Sequence, residues 1–250
     1  MTLFEKIITT ISYLKQPTKR RMIQLAATFK GQEGIELGGP SAFFSFKSAF
    51  PIYLYAKKID GVNFSNNTIW EGKIKEGNLY TYYKNKKGYQ FISEAAHLKE
   101  VNDASYDFVL SCHSLEHVAN PIKALNDWSR VMKSKSRLVL VLPDKEFTFD
   151  NKRSITTLAH LIEDYKNNTT EEDSTHFEEV IALHDFKHDA FVQSKEQLTK
   201  RTKLNIENRA VHHHVFNLDL VKELLMYCDF EMLHQQTYPP FHLVSVAQKK

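Results

Sequence analysis

Cysteine is scarce in this chain of 250 residues: Cys112 and Cys228 are the only two, and they form no Cys-x-x-Cys pair. That excludes a disulfide framework and a thiolate zinc site, and suits a reducing cytosol. A charge excess is also missing. The 33 basic and 30 acidic residues leave a formal charge of +3, too little to mark a nucleic-acid partner. Long apolar runs are absent, and the first turns carry Glu5 and Lys6. Neither a secretory signal nor a membrane span is therefore expected, nor any integral membrane association. The Asn-x-Thr triplets at Asn66 and Asn168 then read as chance matches to a glycosylation signal. No internal repeat is visible. What remains is 42% hydrophobic and 25% charged residues, the composition of an ordinary globular protein. The expectation is one domain spanning 1–250.

The stretch Glu33-Gly34-Ile35-Glu36-Leu37-Gly38-Gly39-Pro40-Ser41 is the most informative. A short apolar strand ends in an acidic residue and two glycines, which turn sharply and admit a ligand where a Cβ would collide. Such a turn makes a nucleotide-type pocket at the carboxyl edge of a parallel sheet. Around it, residues 1–30 predict two helices, the first amphipathic through Leu3, Phe4, Ile7, Ile8, Ile11 and Leu14 and packed on its own domain. Residues 31–144 predict the core. Its later strands are Ile52–Phe64, Tyr89–Ile92, Tyr106–Ser111 and Arg137–Pro143, and 65–88 reads as an irregular polar excursion. Asn120 and Pro121 mark a helix start. Residues 145–210 read as a helical insertion interrupted by the polar run Asn167–Thr175. Residues 211–250 supply a helix, Val215–Tyr227, and two closing strands across Pro239-Pro240. That connection is too short for a crossover, so the strands form an antiparallel hairpin. The predicted fold is α/β: a Rossmann-like, seven-stranded, mostly parallel sheet with helices on both faces.

The ordered set Ile35-Glu36-Leu37-Gly38-Gly39-Pro40, Ile59-Asp60, Glu94-Ala95, Tyr106-Asp107-Phe108-Val109, Ser114-Leu115-Glu116-His117 and Arg130-Val131-Met132-Lys133 resembles the class I S-adenosylmethionine-dependent methyltransferases. It is most similar to a broad bacterial group with a Leu-Glu-His element. The resemblance covers about residues 33–147 and resumes weakly near 212–225. It implies S-adenosylmethionine as cofactor, with Gly38, Gly39 and Pro40 against its methionine part and Glu36 holding the turn and the amino-acid end. Ser41 would cap the following helix. Asp60, about twenty residues after the glycines, would take the ribose hydroxyls, or else belongs to an Asp-Gly turn. Glu94 would meet the adenine amino group with Ala95 beside the ring, and Ser111 ends the fourth strand at the site.

Next to it, His113 is the candidate general base, since an imidazole titrates near neutral pH; the alternative is a histidine that orders the loop. Cys112 reads as a small buried group, and Glu116 and His117 as holding the strand-to-helix loop. Asp144, Arg153, His160 and His214 are candidate acceptor contacts, with Thr156 and Tyr165 near them. No metal is expected: His212 and His214 can share a strand face, but no carboxylate stands at a recognisable ligand spacing. The acceptor would be a polar small molecule, first a sugar or nucleotide-sugar of surface-polysaccharide modification, methylated on oxygen in the cytoplasm. A lipid-like or protein acceptor, or a non-catalytic scaffold, are the alternatives. Oligomeric state stays open, with a homodimer one option.

Overall fold

The computed structural model describes residues 3–48 and 50–250. Met1, Thr2 and Ala49, which fall in the predicted N-terminal segment and in the aromatic stretch after Ser41, lie outside the described residues. In chain order the strands are β1 (Glu33–Leu37), β2 (Lys58–Asn63), β3 (Asn67–Thr68), β4 (Gly72–Lys73), β5 (Gly77–Tyr83), β6 (Lys86–Ile92), β7 (Tyr106–Cys112), β8 (Met132–Pro143), β9 (Phe230–Tyr238) and β10 (His242–Lys249). The helices are α1 (Leu3–Lys15), α2 (Pro17–Ala27), α3 (Ile52–Tyr55), α4 (Pro121–Val131), α5 (Leu158–Lys166), α6 (Phe177–Leu183), α7 (Lys195–Lys203), α8 (Asn205–Asn208) and α9 (Leu218–Tyr227).

The main sheet runs β5-β6-β2-β1-β7-β8-β10-β9. β6, β2, β1, β7 and β8 are parallel neighbours, and β10 lies antiparallel between β8 and β9. The predicted closing hairpin is therefore present. The sheet has eight strands instead of seven, because the polar stretch before Tyr89 contributes β5, paired antiparallel with β6. Tyr80 and Tyr82 alternate with exposed neighbours and point inward from β5, at 2% and 6% exposure.

β7 and β8 are continuous in apolar character because both faces are covered. Val109, Leu138, Leu140 and Leu142 pack with α4 and α9, while Phe108, Leu110, Val139 and Val141 pack with α2, α3 and Phe44. α4 starts as its sequence dictates: Pro121 occupies the first turn and the Asn120 side chain accepts from the Lys123 amide. Two expectations change here. Ile52–Tyr55 is helix, so β2 begins only at Lys58 and runs on to Asn63. The turn after β1 leads into a single 3-10 turn, Ala42–Phe44, which Ser41 precedes without a side-chain cap.

α1 also differs from its expected packing. Phe4, Ile7, Ile11 and Leu14 are exposed by 60%, 49%, 44% and 61%, while Glu5 and Thr9 face inward. Polar contacts dock it: Tyr83 Oη donates to Glu5, and Lys84 Nζ pairs with the same carboxylate. Among the described residues no helix is long and apolar enough to cross a membrane.

Candidate active site at the carboxyl edge of the sheet

A cavity of about 750 Å³ opens where β1, β2, β6, β7 and β8 end, within the range of small-molecule sites. Its floor is the turn after β1. Gly38 has φ +75°, and a Cβ there would stand 2.3 Å from Ser114 Oγ. A Cβ on Gly39 would stand 2.3 Å from both the Glu36 carboxyl carbon and the Tyr80 hydroxyl. The two glycines thus serve different ends, one the backbone angle and the other room for a carboxylate.

That carboxylate is sealed. Glu36 is 0% exposed, accepting from Tyr53 Oη at 2.6 Å, Tyr80 Oη at 2.7 Å and the Ser41 amide at 3.0 Å. Burial raises its pKa, and the three donors pull against that rise. Gly38, Pro40 and Ser41 form cavity wall, whereas Glu36 lies beneath it and holds the turn.

The remaining expected contacts divide the same way. Asp60 lies in the middle of β2, opposite Ile35, and takes Tyr106 Oη at 2.8 Å and the Tyr89 amide at 2.6 Å. Lys58 pairs with it at 2.9 Å. It therefore does not reach the cavity; the residue at the end of β2 is Asn63, whose Nδ2 donates to Gly39 O at 3.2 Å. Asn63 and Phe64 line the wall. Glu94 and Ala95 do so too, Glu94 pairing with Arg209 at 2.6 Å. Ser111 is completely buried, and β7's alternation presents Cys112 to the cavity instead.

Among the acceptor candidates the structure makes larger changes. Asp144 caps the 3-10 turn Lys145–Phe147 through the Glu146 amide. Arg153 is 2% exposed and donates to Asp150 Oδ1 at 3.0 Å, His212 O at 2.8 Å and His213 O at 3.2 Å. Its guanidinium is a bracket for the segment 212–214. His160 and His214 lie together outside the cavity wall.

The loop after β7 supplies what the sequence reading left to structure. His113, at φ 53°, places Nε2 2.9 Å from His242 Nδ1, and burial with the neighbouring histidines pushes its pKa down to about 3. Glu116 is 1% exposed, and neither carboxylate oxygen has a hydrogen-bond partner among the described residues. Burial pushes its pKa up to about 7. His113 Nδ1 and His117 Nε2 stand 3.9 and 4.0 Å from Glu116 Oε1. His212 closes the group. Its Nδ1 meets Asp150, which burial alone would raise but which His212 and Arg153 hold down at about 2. Leu-Glu-His in the sequence was a sign of these residues; their convergence with His212 was not readable before the insertion folded back.

A mostly parallel sheet with order 3-2-1-4-5-7-6 in its seven core strands, and a glycine turn under a cavity at its carboxyl edge, define a Rossmann-like fold with a nucleotide-type pocket. Residues 48–140 match the family model described as a methyltransferase domain. A search of curated proteins gives no match. Among solved structures, the chain is similar to an S-adenosylmethionine-dependent methyltransferase from Mesorhizobium loti, at 11% identity over 93% of this chain and 96% of that one, TM-score 0.54. A counterpart described as a putative S-adenosylmethionine-dependent methyltransferase from Listeria monocytogenes shows 13% identity over 94% and 100%, TM-score 0.52. The chain is thus similar to methyltransferase domains over residues 48–140 and shares the fold of these structures.

Proposed function

We propose that the chain methylates a hydroxyl of a polar small molecule of the carbohydrate or nucleotide-sugar class. The observation that carries this reading is Glu116: a buried carboxylate in the cavity wall whose oxygens have no hydrogen-bond partner among the described residues. Its raised pKa of about 7 suits a group that accepts a proton near neutral pH. We assign the base to Glu116 in preference to His113, whose own pKa of about 3 makes it a poor proton acceptor.

The cavity fits the cofactor of this fold. Gly38, Pro40 and Ser41 would hold the methionine part, Asn63 and Phe64 the ribose, and Glu94 with Ala95 the adenine. S-adenosylmethionine supplies a methyl already activated on a positively charged sulfur. The chain then aligns the acceptor and removes its proton. Glu116 would take the acceptor's O–H proton as that oxygen receives the methyl. Arg201 and the aromatic rim offer hydrogen bonds and flat faces to a sugar. The two free cysteines suit action in the cytosol.

A lipid-like acceptor has one observation in its favour. Ile69, Trp70, Phe147 and Phe191 line the cavity yet are exposed by 57%, 52%, 59% and 89%. Incubation with methyl-labelled S-adenosylmethionine and fractionated cell extract separates the readings. Label in the nucleotide-sugar fraction supports the proposal, and label in the organic phase replaces it with the lipid reading. Calorimetric binding of S-adenosylhomocysteine is expected, and its absence would remove the enzyme reading.

A further inference from the structure

Outside the cavity wall, three imidazoles converge, and a carboxylate stands beside two of them. His160 and Asp164 are one turn apart on α5, at i and i+4, so both side chains leave the same face. His176 comes from the residue preceding α6, and His214 from the segment that follows the insertion. His160 Nε2 lies 3.2 Å from His176 Nε2 and 3.5 Å from Asp164 Oδ2. His214 Nε2 lies 3.7 Å from Asp164 Oδ2 and donates to Ala119 O at 3.2 Å, which leaves Nδ1 as its ligand nitrogen. One ligand nitrogen from each histidine falls within 4.8 Å of the others.

We propose that His160, Asp164, His176 and His214 hold a zinc ion that fastens the insertion to the segment 212–214. A tetrahedral zinc with bonds of ~2.0–2.1 Å sets its ligand atoms ~3.3 Å apart, which the His160–His176 and His160–Asp164 pairs already meet at 3.2 and 3.5 Å. Hydrogen bonding among these groups does not account for them. A His160–His176 bond leaves Asp164 Oδ2 and His214 Nδ1 buried without a partner among the described residues. These two residues are only 9% and 1% exposed. The next layer is also formed: Glu179 Oε2 stands 3.8 Å from His176 Nδ1, the carboxylate behind a ligand imidazole that orients metal sites. Imidazole-rich donors favour zinc, cobalt or nickel over magnesium and calcium. The ion's role is structural. His212, two residues before His214, lines the cavity, so the ion would steady the wall that carries it.

A second group, Glu116, His117 and His212, also brings ligand atoms within 4.8 Å, but inside the cavity. The test separates the two. The full chain, purified without a histidine tag, is stripped with chelator, titrated with Co²⁺ and measured for zinc content after zinc-supplemented expression. About one zinc per chain and a strong visible Co²⁺ spectrum of tetrahedral type are expected. His160→Ala and Asp164→Asn should each weaken Co²⁺ binding at least ~10-fold, while Glu116→Gln leaves it unchanged. A weak octahedral spectrum, or none, in the wild type would overturn the proposal. So would loss of the ion in Glu116→Gln with retention in His160→Ala. Circular dichroism reports whether each variant folds; should either fail, His176→Ala takes its place, with the same loss of Co²⁺ expected.

Discussion

Glu36 and Glu116 are both sealed from solvent, at 0% and 1% exposure, near the ends of neighbouring parallel strands, yet their surroundings are opposite. Glu36 accepts from three donors. Glu116 accepts from none among the described residues, and burial keeps its proton on up to about pH 7. A satisfied buried carboxylate is part of the scaffold, because its desolvation is offset where it stands. An unsatisfied one at a cavity wall is left for a ligand or a proton. The difference teaches that position in a family motif does not assign a role by itself; the count of donors does.

The strongest way to break this comparison is to remove each carboxylate in turn. Glu36→Ala strands Tyr53 Oη and Tyr80 Oη, while the Ser41 amide keeps Tyr53 Oη at 2.8 Å, and each buried unmet donor costs about 1–3 kcal/mol. Urea unfolding should therefore show a loss of about 3–5 kcal/mol. A loss below about 1 kcal/mol would mean that the turn does not depend on the carboxylate. Glu116→Gln should do the reverse, leaving the fold no less stable at neutral pH while lowering kcat by about 100-fold. Its pH signature follows from the raised pKa. The folded state prefers the protonated form, so the wild type is most stable, relative to the glutamine variant, below about pH 4.5. That advantage is lost as pH rises through about 7. Activity runs the other way, rising through the same region in the wild type and flattening in the variant. Equal pH profiles would remove the base from Glu116.

The imidazoles around Glu116 sharpen the contrast from the acid side. His113 and His242 are pushed down to about 3 and about 4, chiefly by burial. A histidine depressed in the folded state stabilises it fully above its unfolded pKa of about 6.5 and loses that contribution as pH falls toward the folded value. For His113 alone the loss at pH 5 is about 2 kcal/mol. Denaturant midpoints should fall steeply between pH 6.5 and 4, and the slope should soften in a His113→Gln, His242→Gln variant. An unchanged slope would show that the pair is charged in the folded protein.

How much of this was legible follows from the range over which each signal acts. The strands β1, β7 and β8, the capped start of α4 and the closing hairpin were readable because their causes are local: apolar continuity, Asn120 with Pro121, and a connection too short to cross over. β5 was missed although Tyr80 and Tyr82 alternate at the strand period, because Asn and Lys around them read as loop. In α1 the apolar period was read correctly and its orientation was not, since Glu5's contacts with Tyr83 and Lys84 come from nearly eighty residues away along the chain. The histidine cluster outside the cavity was hidden for a related reason. His160 and Asp164 were spaced as helix-face ligands, but their partners His176 and His214 arrive only when the insertion folds back.

The smallest expected effect concerns the end of β2, where an acidic residue on the page turned out not to be the one at the edge. Asp60 stands opposite Ile35, short of the strand end, and its oxygens are engaged by Tyr106, Tyr89 and Lys58. Asn63 stands at the edge, tied to Gly39 O and facing the cavity. If the edge residue meets the ribose, Asn63→Ala should weaken S-adenosylhomocysteine about 10-fold, or about 1.4 kcal/mol in calorimetry. Asp60→Asn should leave that affinity within about threefold, because the new amide's oxygen keeps the Tyr89 amide and its NH2 donates to Tyr106 Oη. The reverse order of effects would mean that β2 shifts on binding by enough to bring Asp60 to its end. In a parallel strand held on both sides by β1 and β6, such a shift would break ladder hydrogen bonds to both neighbours at once.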